Sequence, residues 1–543
     1  MRLEDAARVG VRLPLVRGGV VPVYLLGFAA LLAARAPVML GTGAALVVLV
    51  REGRLQPLLA ELSQLGAGDL APGEPLPPGL AAAIEGLLTP AAVGLFVSGV
   101  TAAAIAWVVG TAVASAAGVH ALAAGLGLDR PGAGPSPDGS GGDTVGGRED
   151  DTVVAAVRGV SADTKTFVGL ALARGAAGLG VPIVAFALLG VLPDLLGALV
   201  VIVALPGGPL LYLALGFAEQ AAVLEGRDAP GALRRSLGFV RDEPDAFVGY
   251  LGTGFVALVA LFVALVVVEA LDASSAAALV ALVAAPMVFD GFKTALFAGL
   301  TTPPERAVSV VDGEPATDAA ATSPTDAAAA DPGPDRTWLT RAEGRLRRAA
   351  RWLGRTAADG LAALRTFALA HPVANLAAAA VLLAGGLAGY TLTADLGLEL
   401  LAPGTAGAVA VEPSMVGQIW INNWTVVATS AYGGFALGVP VLTNLAFNGL
   451  LIGALAGVTD PTAVLALVAP HGVVELPAIA VGGGLGLVLG RRGWAALRGR
   501  RGAEALAADV RAAFDVLVGL AVLLLVAALI EALMTPLIGN AVL

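Results

Sequence analysis

Eleven apolar stretches leave this chain little choice of fold. They fall near residues 18–50, 91–125, 167–190, 195–218, 247–271, 277–300, 373–393, 417–438, 441–457, 463–490 and 513–534. At a rise of about 1.5 Å per residue, a helix of roughly 17–25 residues crosses the ~30 Å of bilayer hydrocarbon. Hydrocarbon offers no partner for a backbone N–H or C=O, so a span of this kind must be helical. With 57% of its 543 residues hydrophobic and 14% charged, the chain is far too apolar for a soluble domain of its length. The expected fold is therefore an all-α polytopic membrane protein of about eleven spans, six and then five. Two spans are less secure than the rest, because Arg35 and Pro37 could split the first and Arg174 sits in the third.

Cysteine is absent, which excludes disulfides, thiolate metal sites and cysteine nucleophiles. A net charge of −10 without interleaved basic and aromatic residues argues against nucleic-acid binding. Lys165 and Lys293 are the only lysines, so arginine carries nearly all the positive charge. Acidic loops with few lysines fit a halophilic archaeal source. The N-terminal Arg2, Arg8, Arg12 and Arg17 before an apolar run resemble a signal peptide. Because apolar character resumes through 38–50, the run reads as an uncleaved first span.

Low-complexity sequence divides the chain. Residues 301–337, built from Ala, Asp, Thr and Pro, hold too little apolar surface to fold alone and read as a disordered linker. This gives a six-span membrane domain over 1–300 and a second domain over 338–543. A Gly/Pro/Asp stretch at 129–151 reads as an irregular loop. After the linker, Trp338–Arg365 alternates arginines with apolar residues, as in an amphipathic helix on the cytoplasmic leaflet. Arg341, Arg345, Arg348, Arg351 and Arg355 would meet anionic lipid headgroups there. Placing the N-terminus inside and the C-terminus outside puts this helix, the arginines of 227–241 and those of 491–511 in the cytoplasm. The acidic loops 51–90 and 394–416 then fall outside.

The second part carries an ordered series of polar and glycine signatures. Ile421-Asn422-Asn423 enters a span, Gly433-Gly434-Phe435 and Gly438 follow, and Asn444, Asn448-Gly449 and Gly453 lie in the next. Then come Pro470-His471-Gly472-Val473-Val474-Glu475-Leu476 and, in the last span, Ile530-Glu531 before Thr535-Pro536. Over about residues 350–540 this series resembles the stage II sporulation protein M family of integral membrane proteins. The resemblance implies a five-span domain, and a membrane scaffold that organises other membrane or envelope proteins. The first half has no counterpart in that family. Its Gln220–Gly226 and Ala232–Ser236 resemble a cytoplasmic helix-turn-helix linker between span pairs in domains of unassigned activity.

His471 and Glu475, four residues apart, share one helix face. A charge at the bilayer centre costs about 2.5–3.5 kcal/mol on insertion scales, so such a pair needs a partner or a task. Three readings are open. The pair can hydrogen-bond to backbone freed by Pro470 and Gly472, line a polar cavity in a broken span and exchange protons or contact a solute, or supply two zinc ligands. A catalytic zinc site normally has three protein ligands. His371 and His120 lie elsewhere, so no metal or cofactor is expected. Glu531 either reaches interfacial water or partners His471. The asparagines Asn422, Asn423, Asn444 and Asn448 either join helices or approach the His471/Glu475 face, and Asn422 and Asn423 could instead cap their span. Glycines 433, 434, 438, 482, 483, 484 and 486 permit close helix packing. No complete catalytic set emerges. The expected function is a non-enzymatic scaffold in the cell membrane, with a transporter or channel using the polar span as the alternative and an intramembrane metallohydrolase as the third.

Overall fold

The computed structural model describes residues 3–64, 76–128, 145–189, 194–270, 274–301, 337–396 and 415–542. Every regular element among them is helical. We label the principal helices α1 (Leu3–Val16), α2 (Val20–Arg51), α3 (Pro90–Gly125), α4 (Thr152–Leu188), α5 (Asp194–Ala214), α6 (Ala218–Leu224), α7 (Ala229–Asp242), α8 (Pro244–Ala270) and α9 (Val280–Thr301). Beyond the Ala/Asp/Thr/Pro stretch follow α10 (Thr337–Ala370), α11 (Pro372–Thr393), α12 (Met415–Gly433), α13 (Val439–Gly457), α14 (Pro461–Leu497) and α15 (Ala503–Ala541). Of the expected linker 301–337, residues 302–336 lie outside the described residues, while Thr301 ends α9 and Thr337 begins α10.

Among the described residues, ten helices are long and apolar enough to cross a membrane. The eleventh expected span, near 417–438, is α12, a 19-residue helix made less apolar by Gln418, Asn422 and Asn423. Its polarity is used against α15. The indole N–H of Trp420 donates to the Ala521 carbonyl (2.8 Å), that of Trp424 to Leu517 (3.1 Å), and the Tyr432 hydroxyl to Val510 (3.2 Å). Donors on one face of α12 thus run antiparallel down α15.

Several expectations change in detail. Arg35 and Pro37 do not split the first span, since both lie within one helical run. Residues 145–151, expected in an irregular loop, begin a helix that continues to Gly175. Pro470, Gly472 and Pro477 do not break the polar span. α14 is one 37-residue helix with both prolines inside it. Each proline removes a single backbone hydrogen bond, and membrane helices tolerate that loss where neighbouring helices hold them.

Glycine faces set the closest contacts. α11 and α13 approach through Gly385, Gly389, Gly449 and Gly453, where an added methyl would strike a backbone carbonyl of the facing helix. Gly434 and Gly438 meet Gly486 and Gly490 between the end of α12 and α14. The sharp reversal from α12 to α13 passes through Leu437 and Gly438, both at positive φ (68° and 79°). Gly360 of α10 lies against Gly519 of α15, with Leu364 and Phe367 buried beside it.

Helices from either side of residues 302–336 also pack together. α2 lies against α12 and α13, Leu32 filling the space over Gly433, and one buried apolar cluster runs from Phe28 and Leu122 through Tyr432 to Leu520.

Between α14 and α15, the buried carboxylate of Asp509 holds the turn. Arg492 Nη1 donates to it at 2.7 Å, and Arg501 donates through Nε and, at 2.7 Å, through Nη2. Removing one partner of a buried charged set leaves the others unpaired, at a cost of about 3–5 kcal/mol. Asp509→Ala should therefore free the 498–502 turn, and trypsin should cut at Arg498, Arg500 and Arg501 faster than in the unaltered protein.

Candidate functional site

α14 carries His471 and Glu475 one helical turn apart, and α15 returns antiparallel to bring Glu531 opposite them. The donor atoms of these three side chains all lie within 4.8 Å of one another. His471 Nε2 stands 4.0 Å from Glu531 Oε2. Of the two readings open for Glu531, the geometry matches partnership with His471.

Local backbone explains how Glu531 is aimed. Residues Ile530–Met534 form one π-helical turn, in which the Thr535 N–H bonds to the Ile530 carbonyl. Pro536 follows and has no N–H to continue the α-helical register. Such π-turns recur at functional positions because they offset side chains from the helix stripe. The Thr535 hydroxyl lies 3.4 Å from the Ile530 carbonyl and 3.4 Å from His471 Nδ1. Glu475 Oε2 is shielded from solvent and has no hydrogen-bond partner among the described residues. Glu531, one possible partner of His471 on sequence grounds, is the third group beside His471 and Glu475, and it is a carboxylate rather than a third imidazole.

The other expected site residues lie in different contacts. Asn422 donates to Asn423 Oδ1 (3.1 Å), Asn444 to Ser430 Oγ (2.8 Å) and Asn448 to the Asn444 carbonyl (2.8 Å). These bonds are local to α12 and α13, so Asn444 and Asn448 serve helix packing there. Gly449 is part of the glycine contact with α11. Pro470 and Gly472 are helical positions on α14 beside the triad. His371 precedes the first turn of α11 without a side-chain capping bond and stacks on Phe367, while His120 pairs with Asp163 at 2.9 Å.

A second polar centre lies among the helices before residue 302. Arg174 of α4 donates to Glu219 of α6 at 2.8 Å, and Lys293 of α9 contacts Glu219 at 3.5 Å and Asp290 at 2.8 Å. Tyr24 of α2 donates to Asp290 at 3.1 Å, and the Arg174 guanidinium stacks over Tyr212. Two cations therefore face two carboxylates, so the centre balances its own charge. Both side-chain polar atoms of Gln220 and the Thr294 hydroxyl are buried without a hydrogen-bond partner among the described residues. Nearby, Ser236 ties α7 to the end of α5 by donating to the Ala214 carbonyl and accepting from the Phe217 N–H. Arg235 pairs with Glu225. The Gln220–Ser236 stretch is indeed two short helices, turning at Gly226 with φ 66°.

Glu219 and Asp290 are functional-site candidates that reading the sequence missed. The available signal was Lys293 and Arg174, two cations inside apolar windows, each of which demands an anion within reach.

No curated protein and no solved structure matches the chain. The helices that carry the triad, together with α11 to α13, coincide with a family match over residues 378–536. That part of the chain, the part whose motifs carry the resemblance, matches the family described as Stage II sporulation protein M.

Proposed function

We propose that this protein is a non-enzymatic organiser of other membrane or envelope proteins in the cell membrane. The observation that carries the reading is the way α10 is mounted on the part of the chain that matches the family. The end of α10 is anchored to α15 through Gly360, Leu364 and Phe367. The turns before it project Arg347, Arg351 and Arg355 together with Trp352 and Leu353, which are 64% and 59% exposed. Arginines beside a bare indole suit the boundary between acyl chains and anionic headgroups on the cytoplasmic leaflet, where a partner would be met. The side chains of Arg341, Arg345 and Arg348, expected to join this face, lie outside the described residues. Affinity capture from native membranes at normal expression should return a reproducible set of membrane proteins. That set should shrink when Trp352, Arg351 and Arg355 are replaced by alanine. Failure to recover any reproducible partner would count decisively against the organiser.

A second reading is a small-solute or proton transporter. It is supported by the centre around Arg174, Glu219 and Lys293, where Gln220 and Thr294 leave polar atoms unpartnered. The unbroken course of α14 removes the discontinuous span that had suggested a pathway at His471. Flux in reconstituted vesicles that is unaffected by Glu219→Gln, His471→Ala and Glu475→Gln would remove this alternative.

A further inference from the structure

The three side chains of the α14–α15 site carry a charge problem that the protein groups around them do not solve. Two carboxylates converge beside one imidazole, and Glu475 Oε2 is shielded from water without a hydrogen-bond donor. An unpaired carboxylate oxygen in an apolar setting is expensive unless a proton or cation meets it.

The imidazole's surroundings favour a cation. With the Thr535 hydroxyl donating to the Ile530 carbonyl, its lone pairs accept from His471 in the tautomer that carries its proton on Nδ1. In the neutral ring Nε2 then carries a lone pair, and it is Nε2 that faces Glu531 at 4.0 Å. Ligand-capable atoms from three residues thus surround one space. A ring nitrogen fixed by a hydrogen bond from its other nitrogen is the usual arrangement of a metal-ligating histidine.

We propose that His471 Nε2, Glu475 and Glu531 bind one divalent first-row transition-metal ion of the zinc class. A neutral imidazole and two carboxylates sum to −2, which a divalent ion cancels, leaving a neutral centre within the bundle. Zinc bonds nitrogen and carboxylate oxygen at about 2.0–2.2 Å, so tetrahedral ligand atoms stand about 3.4 Å apart. The donor atoms already lie within 4.8 Å of one another. Glu531, whose side chain is 33% exposed, has the freedom to close the difference. The imidazole favours zinc over magnesium or calcium, which prefer all-oxygen sites. With three protein ligands, one coordination position stays open. The ion would fasten the segment beyond the π-turn of α15 to α14.

The test uses the full chain in detergent, stripped with chelator, exposed to limiting zinc, washed and analysed for metal. About one zinc per chain is expected. Glu475→Gln and Glu531→Gln should each lose it. Thr535→Val, which removes the hydroxyl between His471 Nδ1 and the Ile530 carbonyl, should weaken binding about 10–100-fold. Cobalt(II) as a spectroscopic probe should give visible d–d bands in the unaltered protein and none in Glu531→Gln. Helix content and gel-filtration behaviour of each variant establish folding, and His471→Asn serves where a glutamine variant fails to fold. Zinc should raise the unfolding temperature of the unaltered protein and leave that of Glu531→Gln unchanged. An unaltered protein that retains no zinc, or variants that retain as much as it does, would overturn the site.

Discussion

Glu219→Ala is expected to be among the most damaging single substitutions in the chain. Its carboxylate is the group that Arg174 contacts at 2.8 Å and one of two that Lys293 contacts, and Lys293 is only 3% exposed. Removing the carboxylate leaves a guanidinium without its anion among membrane helices, and the ammonium with Asp290 alone. Breaking a buried ionic set in this way costs about 3–5 kcal/mol, mostly as the penalty on the charges left behind. The measurement is thermal unfolding in detergent, where Glu219→Ala should unfold well below the unaltered protein. The double variant Glu219→Gln/Arg174→Gln removes one charge of each sign and should recover much of the loss. Equal destabilisation by the single and double variants would show that shape, rather than charge, holds this centre together.

Gly453→Val should have a comparable effect for a different reason. A side-chain carbon at 453 would collide with the carbonyl of Gly386, as one at 449 would with that of Leu382 and one at 389 with that of Leu450. Nothing flexible stands in the way that could turn aside, because the obstacle is backbone. The two helices must separate along the length of their contact, and membrane helices that associate by close packing have no hydrophobic effect between them to compensate. Overpacking a tight core costs about 1–3 kcal/mol or more. The folded yield in membranes and the unfolding temperature should both fall. Gly417→Ala is the matched control, since a methyl there meets nothing within 4 Å, and it should behave like the unaltered protein.

The membrane fold was legible because hydrocarbon imposes helices on every long apolar run, whatever packs beside them. α10 was legible for the same kind of reason, its arginines recurring between apolar residues. Where helices meet was much less visible. Glycines 434, 438 and 486 were read correctly as packing positions, yet Gly385 and Gly389 look like ordinary small residues until α13 is set against them. The triad shows the same divide. His471 and Glu475 announce themselves through helical spacing, but Glu531 is 56 residues further on and reaches them only because α15 runs antiparallel and turns through a π-bulge. Pro470 and Gly472 were misleading, since residues that break helices in water are tolerated inside a bundle. Lys293 and Arg174 were visible as intruders in apolar windows. Asp290 stands three residues before Lys293 on α9, a spacing the sequence encodes, whereas Glu219 on α6 meets both cations only through three-dimensional proximity.

The grip of α12 on α15 has an asymmetric consequence for how this protein can change over time. Trp420, Trp424 and Tyr432 deliver their protons to main-chain oxygens, which every amino acid possesses. Ala521, Leu517 and Val510 can thus drift among apolar residues of similar bulk and still be held, because what is recognised is a position on a helix. The donor side has no such latitude, since only a ring bearing an N–H or O–H at the right reach can take part. Natural variation should accordingly accumulate on one helix of the pair, while the three aromatic positions on the other stay fixed.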